Sequence, residues 1–170
     1  GDGELPKLRD QGVRSVFMGV ASLSDTRINQ EIFERLCAMG FEVINVVHPS
    51  AVISRTVRMG MGNRVFAGAI INPESRVGNN VVINTGAIVE HDCRIEDHAQ
   101  IAPGAHLGGN VSVGEGSIVG MGANVIQGIS IGRHAMIGAG AVVIEDVPDG
   151  ATVVGVPARP IRDGSVPRVS

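Results

Sequence analysis

At 170 residues, with a formal charge of −3 and a pI near 5.9, the chain suffices for one domain with a small appendage, and its charges are too dispersed for a nucleic-acid or anionic-membrane surface. No run of about 18 apolar residues could span a bilayer, and no basic segment leads into an apolar core as a signal peptide would. Four Phe, no Tyr and no Trp beside 24 Gly exclude an ordinary ring-filled core, so the interior is expected to be narrow and repetitive.

In chain order, residues 1–11 are polar and begin without Met, which reads as a piece of a longer protein. Residues 14–20 form an apolar run, an expected strand. Ser24 or Asp25 can cap a helix whose buried face carries Ile28, Ile32, Leu36 and Met39, and Gly40 stops it. Residues 41–47 are the next strand. Together these make the second half of a small α/β domain, with no strand and Gly-rich turn before Arg14.

From Val47 to Val143 every sixth residue is Val, Ile, Leu or Met, seventeen positions without an insertion. The next position is Gly at 60, 78, 108, 114, 120, 132 and 138, and the position four after the aliphatic is usually small, as in Ala87, Cys93 and Ala99. A period of six with turn-permissive glycines predicts short strands joined by tight turns, not a helix. Beyond the repeat, Asp149 and Gly150 make a turn and residues 151–156 a short strand. Pro157, Pro160 and Pro167 then keep the tail from helix formation, with 164–170 a frayed end. Cys37 and Cys93 sit in no metal or redox spacing and read as small buried residues of a reduced, cytoplasmic protein.

The repeat resembles the hexapeptide-repeat acyltransferases, in which three hexads make one triangular coil, so residues 18 apart should stack at the ~4.8 Å strand spacing. The resemblance implies a left-handed parallel β-helix, against the right-handed rule for ordinary crossovers. It divides the chain into a partial α/β nucleotide-sugar-binding domain at 1–46, the β-helix at 47–148, and a C-terminal strand and tail at 149–170. Three segments narrow it further: residues 84–93, ending Glu-His-Asp-Cys, residues 101–110, and the Val-Gly-Val-Pro-Ala-Arg ending at Arg159. They resemble the branch holding the sialic acid O-acetyltransferases (NeuD type) and the UDP-4-amino-sugar N-acetyltransferases (PglD type).

Acetyl transfer from a thioester needs a base, an oxyanion donor and a groove for a long cofactor. His91 stands between two carboxylates, Glu90 and Asp92, that can orient its ring, and Gly109, 18 residues on, should lie one coil above it. The resemblance assigns the base to His91, the basicity-raising partner to Asp92 and the oxyanion N–H to Gly109. It gives Asn84 and Glu90 to the amino-sugar. Gln100, Gly109, Met121, Gly122, Ala139, Gly140 and Arg159 go to acetyl-CoA, with Gln100 standing where relatives often carry His. Cys93 belongs to the small-residue column and is expected to face inward. His48, His98, His106 and His134 read as structural, the last three at exposed turns. No metal is expected: the histidine gaps of 43, 7, 8 and 28 lack the His-x₄-His spacing of the γ-type carbonic anhydrases. The expected partners are a nucleotide-linked amino-sugar or sialic acid and two further copies in a homotrimer. The favoured reaction is N-acetylation of a nucleotide-linked 4-amino-sugar. Sialic acid O-acetylation and an inactive sugar- or CoA-binding prism are the alternatives.

Overall fold

The computed structural model describes residues 2–19 and 26–161. Its dominant feature is a triangular prism. Seventeen two-residue strands, β3 (Val46–Val47) to β19 (Val142–Val143), recur every six residues, and those from β3 to β16 each pair in parallel with the strand 18 residues on, as Ile88 does with His106 and Arg94 with Ser112. Three stacked sheets result. Face one holds β4, β7, β10, β13, β16 and β19; face two holds β5, β8, β11, β14 and β17; face three runs from β3 through β18 and adds β20 (Thr152–Val154) and β21 (Arg159–Pro160).

In every strand the second residue is the six-periodic aliphatic, aimed at the axis. From Val65 to Val143 each is at most 4% exposed. The first coil differs: Val47 is 43% exposed and Ile53 and Met59 are only partly buried, because no coil lies beneath them. Cys93, Ala87, Ala99 and Ala105 fill the corners of the core, where larger side chains would collide.

The glycines after the aliphatics do not turn the chain, as the sequence suggested. The left-handed residues come two positions later, every six residues from Gly62 (φ 71°) to Gly140 (φ 67°), and six of them are Glu74, Asn80, Asp92, His98, Asn110 and His134. Gly108, Gly114 and Gly120 instead let adjacent coils touch: a Cβ on Gly120 would lie 2.5 Å from the Ile137 carbonyl.

The N-terminal unit contains α1 (Leu5–Asp10), β1 (Ser15–Val16), α2 (Thr26–Ala38) and β2 (Glu42–Val43), the two strands pairing in parallel. α1 is an element the polar opening did not suggest; it buries no residue, and Arg9 ties it on by bonding the Gly40 carbonyl and lying over Phe41. The expected second strand divides at Ile44 and Asn45, β2 staying with the unit and β3 joining the prism. The proposed caps Ser24 and Asp25 and the tail from 162 lie outside the described residues. α2 buries Thr26, Asn29, Phe33 and Leu36, with Ile32 and Met39 packed partly buried beside them; of the expected face only Ile28 turns out, 46% exposed. The reason is the corner it packs on, between faces two and three. Thr26 donates to the Gly116 carbonyl at 3.1 Å, Asn80 donates to the Asn29 carbonyl at 3.1 Å, and Phe33 meets the His98 ring edge-on.

Candidate active site

His91 occupies the corner between faces one and two, after β10 (Ile88–Val89) and before β11 (Arg94–Ile95). Its backbone is fixed from both neighbouring coils: Asn110 N–H donates to the His91 carbonyl at 2.8 Å, and Asp92 N–H donates to the Pro73 carbonyl at 3.0 Å. Asp92 takes the left-handed position (φ 60°), a conformation short polar side chains tolerate, and this swings its carboxylate beside the ring. The His91 Nδ1–Asp92 Oδ2 distance is 2.8 Å. With the proton on Nδ1 donated to the carboxylate, the Nε2 lone pair is left free to accept. Both side chains remain more than half exposed.

Gly109 lies one coil up against this ring. A Cβ there would sit 2.7 Å from both Cε1 and Nε2 of His91, so only a glycine lets imidazole and backbone come so close. Among the described residues no backbone carbonyl accepts from the Gly109 N–H. The His91 ring and a glycine whose amide meets no backbone acceptor among the described residues are thus brought together, the two kinds of group that an acyl transfer uses for proton removal and for a developing oxyanion.

Glu90 precedes His91 in the chain, and its Oε1 lies 3.8 Å from Nε2 of His106. His106 is therefore not an exposed turn residue: it is the outward residue of β13 (His106–Leu107), a position readable from its place before an inward aliphatic. His98 is also not exposed, at 7%, because α2 covers its corner. Cys93 faces the core at 1% exposure, as expected, donates toward the Gly108 carbonyl, and has its thiol pushed up from the ordinary range by burial.

The expected cofactor residues, read as lining a groove between adjacent prisms, are spread over two corners and one face of a single prism. Met121, Gly122, Ala139 and Gly140 are exposed on a different corner, between faces three and one, and Asn84 is on that corner two coils lower. Gln100 departs from expectation: it lies on β12 (Gln100–Ile101) of face three and is 1% exposed, so one copy of the chain presents nothing of it to a cofactor in an open groove. Arg159 lies on β21, its guanidinium 3.3 Å from Glu145. Among the described residues no helix is long and apolar enough to cross a membrane, and no group of three or more His, Cys, Asp or Glu could hold a metal ion.

The bacterial transferase hexapeptide model (six repeats) matches residues 74–109 and 92–127. No curated protein sequence matches. Among solved structures, that of PerB from Caulobacter crescentus in complex with CoA and GDP-perosamine is 43% identical, with a TM-score of 0.91, over 95% of this chain and 76% of that one. The acetyltransferase domain of PglB from Neisseria gonorrhoeae, in complex with acetyl coenzyme A, is 41% identical with a TM-score of 0.80, over 81% of this chain and 67% of that one. WeeI from Acinetobacter baumannii is 29% identical with a TM-score of 0.83, over 88% and 72%. The chain belongs to the hexapeptide-repeat sugar N-acetyltransferases, enzymes built on the left-handed parallel β-helix.

Proposed function

We propose that the protein transfers acetyl from acetyl-CoA to the amine of a nucleotide-linked 4-amino-sugar, with His91 as general base. The observation that carries this is the contact of the His91 ring with Gly109, one coil above, with Asp92 on the opposite ring nitrogen. As the sugar nitrogen attacks the thioester carbonyl, Nε2 takes its proton. The carbonyl oxygen becomes an oxyanion accepting from the Gly109 N–H. The C–S bond then breaks, and the imidazolium returns the proton to the departing thiolate. A positioned base of this kind contributes about 10²–10⁴ in rate, and an oxyanion donor about 10²–10³. N-acetylation is favoured over O-acetylation because the GDP-perosamine enzyme, similar over 95% of this chain, is an N-acetyltransferase, crystallised also as histidine-to-alanine and histidine-to-asparagine variants.

We further read the enzyme as a homotrimer acting in the reducing cytoplasm, where acetyl-CoA and two unpaired thiols belong. The His91 corner and the Met121–Gly140 corner flank face one from opposite sides, so a groove using both is best made by two copies. The test of the chemistry is an acetyl-CoA consumption assay across GDP- and UDP-4-amino-sugars and sialic acid. Turnover with a nucleotide amino-sugar is expected, abolished in His91→Ala without loss of CoA binding. Wild-type turnover in that variant removes His91 from the mechanism.

A further inference from the structure

Face two carries three arginines in strict register. Arg58 pairs with Arg76 across β5 (Arg58–Met59) and β8 (Arg76–Val77), and Arg76 pairs with Arg94 on β11. All three are exposed and stacked at a strand spacing of about 4.8 Å, and they line one shallow groove with Gly60, Gly78 and a single carboxylate, Glu96. Among the described residues none of the three makes a salt bridge. Like charges directly opposite in a sheet oppose folding, so an anion laid along the column would relieve a repulsion as well as gain contacts. Guanidiniums are suited to it because each can bind two oxygens of a phosphate at once.

The place of the column selects the anion. Face two is bounded on one edge by the His91 corner and on the other by the corner that α2 covers through Gly116, Asn80 and His98. Arg94 follows His91 by three residues, at most about 11 Å of chain. A nucleotide-sugar held with its amine at His91 and its nucleoside toward the N-terminal unit lays its diphosphate across this face. In such a molecule one sugar ring separates amine from diphosphate, whereas in acetyl-CoA the whole pantetheine arm separates thioester from diphosphate.

We infer that Arg58, Arg76 and Arg94 form a binding track for the diphosphate of the nucleotide-sugar. The inference rests on the proposed amino-sugar acetylation, and its test separates the two. Binding of GDP, UDP and inorganic pyrophosphate to the whole chain is measured by calorimetry for wild type, Arg76→Gln, Arg76→Lys and the triple variant Arg58→Gln/Arg76→Gln/Arg94→Gln. KM is determined for the nucleotide amino-sugar and for acetyl-CoA. Arg76→Gln is expected to weaken the preferred nucleoside diphosphate and raise the sugar KM about tenfold. Arg76→Lys should recover part of the loss, and the acetyl-CoA KM should stay within about twofold. Affinity should fall with added salt, and removing like charges should leave the melting temperature of the variants unchanged or higher. Unchanged diphosphate affinity in the triple variant, or in Arg76→Gln should the triple variant fail to fold, overturns the track. So does a raised acetyl-CoA KM, which would give the column to the CoA diphosphate. Arginine-dependent diphosphate binding without any acetylation leaves the track standing and removes the catalytic reading.

Discussion

Asp92 acts on His91 in two separable ways, through its carboxylate on Nδ1 and through a backbone that must sit at φ 60° for that carboxylate to reach. Asp92→Asn keeps a residue tolerant of the left-handed turn but loses the charged acceptor. We expect an unchanged melting temperature and a kcat lower by on the order of 10–100-fold. Asp92→Ala should lose the same activity and also melt earlier, since a left-handed alanine costs about 1–2 kcal/mol. Equal kcat in Asp92→Asn and wild type would show that the carboxylate does not serve the ring. Gly109→Ala probes the other side. Its methyl would stand 2.7 Å from the ring, and because the His91 side chain is 63% exposed the ring can swing outward while the coil survives. The variant should stay folded, bind CoA with little change and lose about a hundredfold or more in kcat. Retained kcat would mean that ring and amide do not serve one thioester.

At the scale of elements, α2 is held on the prism by a largely polar seam. Asn80 accepts from Arg64 Nη2 at 2.8 Å, donates to the Asn29 carbonyl and meets Nδ1 of His98 at 2.9 Å, all of it buried. Burial also lowers the Arg64 guanidinium below its usual range, which makes its partners count for more. Asn80 is itself left-handed (φ 53°), so Asn80→Gly removes the hydrogen bonds without adding backbone strain. A loss of about 2–3 kcal/mol is expected, seen as a lower melting temperature and faster amide exchange in α2; equal exchange in variant and wild type would refute the seam. The seam also shows where sequence reading stops. The aliphatic series and the 18-residue stacking of His91 and Gly109 are legible because a prism makes neighbours of residues at a constant interval. Asn80 and His98 look like any other turn residues, since what covers them comes from 50 or more positions away. The glycines at 114 and 120 were visible as a column, but their reason, contact between coils, is a property of stacking and not of any one turn.

For the whole molecule, the arrangement of corners decides how many copies one site needs. His91 and Gly109 share one edge of face one, and Met121, Gly122, Ala139 and Gly140 share the other. Face one between them presents Val52, 62% exposed, with Ile70, Ile88, His106, Asn124 and Val142 in the same outward column, and Met121 and Ile126 at its rims are 58% and 45% exposed. A sheet face whose outward column is two-thirds aliphatic is the surface a neighbouring prism would cover. If each groove takes its base from one copy and its cofactor wall from the next, two differently broken chains can mend each other. His91→Ala keeps the wall and lacks the base. Ala139→Glu keeps the base and sets a carboxylate against the cofactor. Each alone should be inactive. Unfolded and refolded together at equal amounts, they should recover about a quarter of the wild-type activity, the share of sites that draw both sound halves by chance in a cyclic assembly. If base and wall came from the same copy, no combination would hold a complete site, and the mixture would stay as inactive as its parts.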